Sequence, residues 1–249
     1  MTNESAHNQT AGARESIPSR DDAPAMFDRI AHRYDLLNRV LSGGRDVLWR
    51  NRLVRHLPPG DDLRVLDVAT GTADVLLSLI SQSSRVNCGS GVDLAERMLD
   101  IGRHKIDERG LGDRLKLKHG DAQALPFADE SFDVSTIAFG IRNVPQVDKG
   151  LAEMYRVLRQ GGRALILEFS LPGNALVRRA YLLYFRHLLP RLGAVVSGDG
   201  FAYSYLNKTV ETFPYGEQFC ELMRDAGFIN VRQDILTLGI ATIYVGEKP

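Results

Sequence analysis

One stretch, residues 65–74, constrains the fold more than any other part of the chain. Its first four residues are apolar apart from Asp67, and the next six are small or polar and include Gly71. Residues 75–80 then resume an apolar pattern with helical spacing, so the order predicts a strand, a tight turn and a helix. Asp93 ends the next strand-like run. An acid in that position can reach a ribose, which indicates a site for a nucleoside cofactor.

The composition of the turn distinguishes between nucleoside cofactors. A dinucleotide fingerprint needs three glycines so that the backbone can approach a pyrophosphate, whereas here Gly71 stands between Ala69 and Ala73. S-adenosylmethionine shares the adenosine but carries a cationic sulfonium and an amino acid, so nearby Asp67 and Asp74 favour it. A nicotinamide cofactor fits this turn less well. On these residues alone, an ordinary strand-to-helix connection is the alternative.

The composition predicts a globular protein with a substantial core. Of the 249 residues, 44% are hydrophobic and 25% are charged, which suits one large α/β domain. The 31 basic and 31 acidic residues balance, so no overall field attracts nucleic acid. Cys88 and Cys220 lack the spacing of a metal site, so we expect no metal and a reducing cytoplasm. No apolar run reaches the roughly 20 residues of a membrane span, and the N-terminus does not look like a signal peptide. We therefore expect a cytoplasmic protein, either soluble or peripheral at the membrane.

The order of residue patterns divides the chain into parts. Residues 1–24 are small and polar, and we expect a disordered tail followed by the main domain, 25–249. Within that domain, residues 25–60 carry two helical patterns and predict a helical cap, in which His32, Asn38 and Trp49 are interpreted as packing or surface residues. Strand and helix patterns then alternate. The later strands are predicted at 115–119, 132–138, 164–169, 229–235 and 240–245, the last two as a hairpin. Residues 174–213 interrupt the alternation and predict a lid.

Four further segments carry a more specific signal. They are FDRIAHRYDLLN at 27–38, ALPF at 124–127, FGIRNV at 139–144 and EFS at 168–170. Together with the Asp67 turn, they closely resemble the ubiquinone/menaquinone biosynthesis C-methyltransferases over nearly everything after the tail. The first and third segments are specific to that family, whereas the turn and the corner at 120–122 indicate only a class I methyltransferase.

The resemblance implies a fold, a donor and an acceptor. The expected fold is the α/β class I methyltransferase fold, which is Rossmann-like. It has a seven-stranded, mostly parallel sheet with an antiparallel final strand, an N-terminal helical cap and a helical lid insertion. The implied cofactor is S-adenosyl-L-methionine, and the implied reaction is C-methylation of a prenylated quinol precursor, demethylmenaquinol to menaquinol. The alternatives are the ubiquinone-pathway 2-methoxy-6-polyprenyl-benzoquinol C-methyltransferase, an enzyme with both activities, and a quinone-binding protein without turnover.

The resemblance also implies donor-binding residues. The family holds its donor at the positions of Thr72, Asp93, Asp121 and Ala122. Asp67 and Gly71 of the turn and Ala138 at a later strand end complete the predicted donor site. Ala73 stands where the family usually has glycine, and Ala138 stands where it commonly has serine. If the backbone at Ala73 needs a positive φ, its methyl group causes strain, and we expect both changes to tune donor affinity.

Methyl transfer to a ring carbon needs an electron-rich ring, which a quinol supplies best when one hydroxyl is ionised. A phenol has a pKa of about 10, so full ionisation at pH 7 costs about 4 kcal/mol. A cation beside the oxygen offsets part of that cost. Arg142 is predicted to be this cation, with Asn143 orienting the ring and Tyr34 or a bound water relaying the proton. The alternative for Arg142 is a surface salt bridge.

Residues 176–192 predict a face that meets a membrane surface or the quinone. The apolar members are Leu182, Leu183, Phe185, Leu188 and Leu189, and the basic members are Arg178, Arg179, Arg186 and Arg191. Arginines of this kind attract anionic headgroups, and Tyr181 and Tyr184 suit the interface. The alternative is a core helix that Pro190 ends.

Overall fold

The computed structural model describes residues 20–188, residue 205 and residues 209–249, and a seven-stranded sheet is the framework of this part. The strands are β1 (Leu63–Val68), β2 (Val86–Asp93), β3 (Leu115–His119), β4 (Phe132–Ala138), β5 (Leu158–Phe169), β6 (Ile229–Leu236) and β7 (Ala241–Glu247). They lie in the order β3-β2-β1-β4-β5-β7-β6. The first five pair in parallel, and β7 runs antiparallel to both β5 and β6. The predicted Rossmann-like fold with an antiparallel final strand is confirmed.

Helices follow the strands and cover the sheet. They are α1 (Ala23–Ser42), α2 (Arg45–Arg52), α3 (Asp74–Gln82), α4 (Glu96–Glu108), α5 (Val147–Val157), α6 (Ala175–Leu183) and α7 (Glu217–Asp225). Short 3₁₀ turns lie at Arg20–Asp22, Leu53–His56, Ile141–Asn143 and Thr237–Gly239. In the described part of the chain, no helix is both long and apolar enough to cross a bilayer.

Alternate residues of the central strands face two different cores. In β1, Val65 packs with α3 and the end of the cap, whereas Leu66 packs with α5 and α7. In β5, Leu165 faces the first core and Ile166 the second. Burying one such side chain stabilises the fold by about 1.5–3 kcal/mol. The sheet is therefore held from both faces, as parallel strands require.

The strand order determines where a ligand can bind. Because β1 pairs with β2 on one side and β4 on the other, the loops that leave their carboxyl ends diverge and open a crevice at that edge. The segments after β1, β2, β3 and β4 all meet there, and α1 lies across them, against α4.

The predicted disorder of residues 1–24 is wrong for the last five of them. Residues 1–19 lie outside the described residues, but residues 20–24, which were expected to be disordered, form the Arg20–Asp22 turn and the start of α1. The reason is burial, because Ala23 and Met26 pack against Tyr205 at only 2–3% exposure each. Segments that bury side chains in this way gain enough free energy to order the backbone.

Strand β5 begins six residues earlier than the predicted start at Ala164. The register against β4 jumps from Phe132 opposite Leu158 to Val134 opposite Arg163, so the intervening residues form an irregular bulge. Gly161 lies in this bulge with φ +76, a backbone conformation that glycine adopts without strain. Gly161 and Gly162, which follow the α5 segment in the sequence, are thus part of the strand.

The predicted closing hairpin is confirmed, because β6 and β7 pair antiparallel across the Thr237–Gly239 turn. The predicted lid, residues 174–213, is described only in part. Its described portion comprises α6, a π-helical turn at Tyr184–Leu188, Tyr205 and residues 209–213. Leu189, Pro190 and Arg191 lie outside the described residues.

Candidate active site

A cavity of about 210 Å³ opens at the carboxyl edge of the sheet and gathers most of the predicted donor residues. Its lining includes Gly71 after β1, Asp93 at the end of β2, Asp121 and Ala122 after β3, and Ala138 at the end of β4. These residues are far apart in the sequence, and the parallel strands bring their ends together. We call this space the donor cavity.

Asp93 holds the turn that forms the floor of the donor cavity. One carboxylate oxygen accepts the backbone N–H of Gly71 at 2.8 Å, and the other accepts that of Ala95 at 2.9 Å. Burial raises the pKa of Asp93, and the backbone donors oppose that shift. Each oxygen of an ionised carboxylate has a second acceptor position, so Asp93 can still receive hydrogen bonds from a ligand.

Asp121 lies on the opposite wall with Gln123. The carboxylate accepts the backbone N–H of Gln123 at 2.9 Å, and the Gln123 side chain in turn accepts the backbone N–H of Gln146 at 3.1 Å. Gln123 lines the cavity and was not predicted as a site residue. A polar residue two positions after a predicted strand-end acid is the signal that could have identified it.

The turn after β1 is strained at the position that the sequence marked. Ala73 has φ +64, and Ala69 has φ +50 in the same turn. A left-handed conformation costs a residue with a Cβ about 1–2 kcal/mol relative to the right-handed region. The condition stated for strain at Ala73, a positive φ, is therefore met.

Two predicted donor residues, Asp67 and Thr72, do not line the donor cavity. Asp67 is 1% exposed and accepts the hydroxyls of Thr70 and Thr136, each at 2.6 Å. Burial raises its pKa to about 7, because the two hydroxyl donors only partly offset the loss of water. The Thr72 hydroxyl bonds Asp35 and Lys105, each at 2.8 Å. Both side chains make hydrogen bonds within or beside the turn, and their contact with the donor stays a prediction.

A second cavity of about 490 Å³, the acceptor cavity, lies beside the first under the helical cap. Phe27, Tyr34 and Phe139 line both cavities and form their common boundary. The lining of the acceptor cavity is mostly apolar and aromatic, with Arg142 and Asp46 as buried charged members.

Three rings form an aromatic cluster on the wall of the acceptor cavity. The centroids of Phe139 and Phe169 are 4.5 Å apart, and the Trp49 ring lies 6.0 Å from the first and 6.3 Å from the second. Such surfaces suit a flat aromatic ligand. Trp49 is packed in the core at 5% exposure, as the sequence suggested, and it also lines the cavity, as does Asn38.

Arg142 is buried at 5% exposure, so its ion pair is not a surface salt bridge. Its guanidinium donates to Glu168 at 2.7 Å and to the carbonyl of Phe139, and it lies 5.3 Å from the Phe169 centroid. The Nε atom of Arg142 has no hydrogen-bond partner among the described residues. The side chain thus retains a donor beside the acceptor cavity.

Tyr34 and Asn143 lie at the boundary between the cavities. Burial raises the pKa of Tyr34, while a hydrogen bond from Asn38 and the charges of Arg50 and Arg142 lower it. Asn143 lines the donor cavity, and its side-chain amide makes a long contact with the Phe139 carbonyl at 3.4 Å. Its side-chain oxygen is buried without a partner in the described part of the chain. Asn143 therefore lies beside the donor cavity, and its orienting role stays a prediction.

Comparison with known proteins identifies relatives along most of the chain. A family model described as the ubiE/COQ5 methyltransferase family matches residues 19–248. The ubiquinone/menaquinone biosynthesis C-methyltransferase UbiE of Geotalea daltonii is 45% identical over 223 residues, 90% of this chain and 94% of that protein. The demethylmenaquinone methyltransferase of Deinococcus radiodurans is 46% identical over 243 residues, 96% of this chain and 99% of that protein.

Solved structures with the same fold are more distant in sequence. A SAM-dependent methyltransferase from Thermotoga maritima has a TM-score of 0.64 at 21% identity, covering 90% of this chain and 99% of that one. A Haemonchus contortus phosphoethanolamine N-methyltransferase, in complex with S-adenosyl-L-methionine, has a TM-score of 0.63 at 16% identity. It covers 95% of this chain and 61% of that one. At these identities the likeness supports the fold alone.

Proposed function

Because the chain belongs to the ubiE/COQ5 methyltransferase family, we propose that it transfers a methyl group from S-adenosylmethionine to a ring carbon of a prenylated quinol. The acceptor is demethylmenaquinol, the substrate class in the names of the Deinococcus and Thermus relatives. The observation that carries this proposal is the shared boundary of the two cavities at Tyr34 and Phe139, which lets a donor and an acceptor meet. Positioning of that kind accounts for much of the rate in a bimolecular transfer.

The donor cavity has the polar groups that S-adenosylmethionine requires. When bound, this donor supplies a methyl group on a cationic sulfonium. Asp93 would accept the ribose hydroxyls, and Asp121 and Gln123 would hold the adenine. The buried Asn143 oxygen without a partner supports this assignment, since it needs a donor such as the ammonium of the methionyl group.

The acceptor cavity suits a quinol ring with an apolar tail. The ring would stack on the cluster of Trp49, Phe139 and Phe169. The prenyl chain would leave between α1 and α6, where Val40 and Val177 line the same cavity. Contact with apolar surface at that exit would remove the prenyl chain from water. This burial favours binding by about 25 cal/mol for each Å² of apolar surface.

Arg142 would stabilise the ionised oxygen of the quinol. Glu168 already compensates the charge of the guanidinium in part. The Nε–H would therefore act mainly as a hydrogen-bond donor to the developing negative charge. Tyr34, whose raised pKa keeps the hydroxyl protonated near pH 7, can accept one proton while it donates its own. This is the proton relay that we assign to Tyr34.

The test of the function is a transfer assay under anaerobic conditions. We expect the purified protein with S-adenosylmethionine to methylate a dithionite-reduced, short-chain demethylnaphthoquinol, detected as the methylated quinone by mass spectrometry. The unreduced quinone is the control and should not react. Methylation of the matching benzoquinol at an equal kcat/KM would assign both activities, and no product from either quinol would reject the proposal.

Arg142 also allows a test of the mechanism. Removing its side chain alone leaves Glu168 buried without a partner, which costs about 3–5 kcal/mol, so the paired variant Arg142→Ala/Glu168→Gln is the better probe. We expect kcat to fall at least about a hundredfold while the Kd of S-adenosylhomocysteine stays within about twofold, because the charge develops toward the transition state. An unchanged kcat in a folded variant would mean that Arg142 is only structural.

The substrate's prenyl chain also implies contact with a lipid phase, and we place the protein at the inner face of the cytoplasmic membrane. The supporting feature is α6, whose residues Leu176 and Leu183 are 78% and 54% exposed beside exposed Arg178 and Arg179. The opposite side of α6 is anchored, since Tyr181 is buried against α1. This arrangement leaves the basic and apolar side of the helix free to meet anionic headgroups.

A further inference from the structure

One charged residue in the acceptor cavity has no part in the mechanism above. Asp46 lies in the first turn of α2, is 4% exposed and lines the acceptor cavity with Trp49. One of its carboxylate oxygens accepts the Ser42 hydroxyl at 2.8 Å, and the other accepts the Arg50 guanidinium at 2.6 Å. Burying a charge at the wall of an apolar cavity is costly, so this placement calls for an explanation.

The carboxylate still has room for a ligand. An ionised carboxylate has about four acceptor positions, and Ser42 and Arg50 occupy two of them. Both neighbours donate, so Asp46 meets the cavity as a pure acceptor. A ligand group that contacts it favourably must therefore donate a hydrogen.

The cavity thus has polar groups at two separate points of its aromatic cluster. Arg142 lies over the Phe169 ring, and Arg50, the partner of Asp46, lies 5.8 Å from the Phe139 centroid. A 1,4-quinol has oxygens at opposite ends of one ring. Suppose that the ring stacks on the cluster with one oxygen at Arg142. Its second oxygen then meets another polar group of the cavity lining, and Asp46 is a buried acceptor in that lining.

We propose that Asp46 accepts a hydrogen bond from the second hydroxyl of the quinol and thereby makes the site selective for the reduced form. This rests on the proposed function. Quinol and quinone have nearly the same shape, so apolar contacts bind them about equally. The quinone oxygen has no hydrogen, and against Asp46, which is 4% exposed, it would set two acceptors face to face. Since the oxidised ring is not nucleophilic, its exclusion keeps an unreactive competitor out of the site.

Trp49, the single tryptophan of the chain, reports on this binding directly. It lines the acceptor cavity, so its fluorescence should change when a ring stacks on it, and no methyl donor is needed. The full chain is titrated anaerobically with a short-chain prenylated naphthoquinone and, separately, with its dithionite-reduced quinol. For the wild type we expect the quinol to bind at least about tenfold more tightly than the quinone.

Two variants locate this selectivity. In Asp46→Asn the amide can donate to a carbonyl, so we expect the ratio of the two Kd values to fall by at least about tenfold. The second variant, Asp46→Asn/Arg50→Gln, removes both charges and covers the case in which the single variant does not fold. The matched control is Asp234→Asn, which removes a carboxylate that pairs with Arg52 of the same helix but lies outside the acceptor cavity. It should keep the wild-type ratio.

Each outcome bears on the assignment. A ratio that is unchanged in both Asp46 variants, or that falls equally in Asp234→Asn, would mean that Asp46 only holds Arg50 in place. A wild type that binds both forms equally, or binds neither, would also overturn the proposal. Failure of the proposed function is distinguishable from failure of this proposal. If the wild type binds quinol more tightly than quinone by fluorescence but transfers no methyl group, the methyl-transfer function is rejected and Asp46 is kept as the selective group.

Discussion

At the scale of the residue, two acids at neighbouring strand ends have different environments. Asp67 lies inside one apolar run and Asp93 ends the next, and the sequence assigned both to the donor. In the structure only Asp93 lines the donor cavity, whereas the Asp67 carboxylate is enclosed by Thr70 and Thr136. Both side chains leave the same face of the sheet, because Asp67 pairs with Gly91, two residues before Asp93. The difference lies in depth, since Asp93 is nearer the carboxyl edge, and in the threonine hydroxyls that reach Asp67.

We expect Asp93→Ala to weaken S-adenosylhomocysteine binding about tenfold or more. The reason is that a ribose hydroxyl left unpaired in a buried site costs roughly 1–3 kcal/mol. Isothermal titration calorimetry measures the Kd, and circular dichroism checks the fold, since Asp93 also accepts the Gly71 and Ala95 amides. The same Kd in a folded variant would remove Asp93 from the donor site.

For Asp67 we predict an effect of pH on the free energy of unfolding rather than on ligand binding. Its pKa of about 7 in the folded protein lies above the value near 4 of an unfolded chain, so the folded state holds the proton more tightly. The stabilisation is complete below about pH 4 and is lost as the pH rises through about 7, a change of up to about 4 kcal/mol. Urea unfolding at pH 4 to 8 should show this loss in the wild type, relative to Asp67→Asn. A constant difference between the two proteins across that range would contradict the raised pKa.

At the scale of the element, α1 is the part that closes both cavities. It is held by apolar contacts, such as that of Ala31 with Ala95 and Met98, and also by polar contacts. The Lys105 ammonium of α4 bonds Asp35 of α1 at 2.5 Å, Asp74 at 2.7 Å and Thr72 at 2.8 Å. One cation thus joins the cap, the turn after β1 and two helices.

We expect Lys105→Met to loosen α1 without unfolding the domain. Without the ammonium, Asp35 loses its ion pair and Asp74 keeps only Arg50, at 4.0 Å, which favours local opening of the cap. Amide hydrogen exchange over residues 28–42 should accelerate by about tenfold, equivalent to about 1.4 kcal/mol. Lys149→Met, at an exposed position on α5, is the control and should leave that exchange unchanged. Equal exchange in both variants would show that the apolar contacts of α1 suffice.

At the scale of the whole molecule, the exit of the acceptor cavity and the exposed side of α6 belong to the same region. Val177 and Ala180 of α6 line the cavity, and Leu176, Arg178 and Arg179 of the same helix are exposed. A protein docked through this side would present the cavity to lipid without crossing the bilayer.

The corresponding prediction concerns anionic vesicles. We expect the wild type to co-sediment with them at low salt and less at high salt, and Arg178→Glu/Arg179→Glu to lose most of that binding, because each arginine near the surface contributes about 1 kcal/mol. Arg103→Glu/Arg109→Glu, which reverses two arginines of α4 and its C-terminal end, is the charge-matched control. If neither protein binds and both methylate a short-chain quinol equally, α6 has no docking role.

The sequence by itself determined the sheet, its order of strands and helices, and the positions of Gly71, Asp93, Asp121 and Ala138 at one edge. Hydrophobic periodicity and small-residue turns are local signals, and parallel strands bring their ends together whatever lies between them. Most of the predicted donor residues therefore line one cavity, whereas Asp67 and Thr72 do not, and Gln123 was missed.

The tertiary structure decided most of the acceptor cavity, of which the sequence had indicated Arg142 and Tyr34. The packing of the cap over the sheet brings Trp49, Asp46 and Arg142 to one cavity. That packing cannot be inferred from the short-range residue pattern of α2. It also decided that Asp67 and Thr72 support the turn, since their partners, Thr136 and Lys105, are more than thirty residues away in the chain. Burial and long-range pairing are properties of the whole fold, and for that reason periodicity cannot specify them.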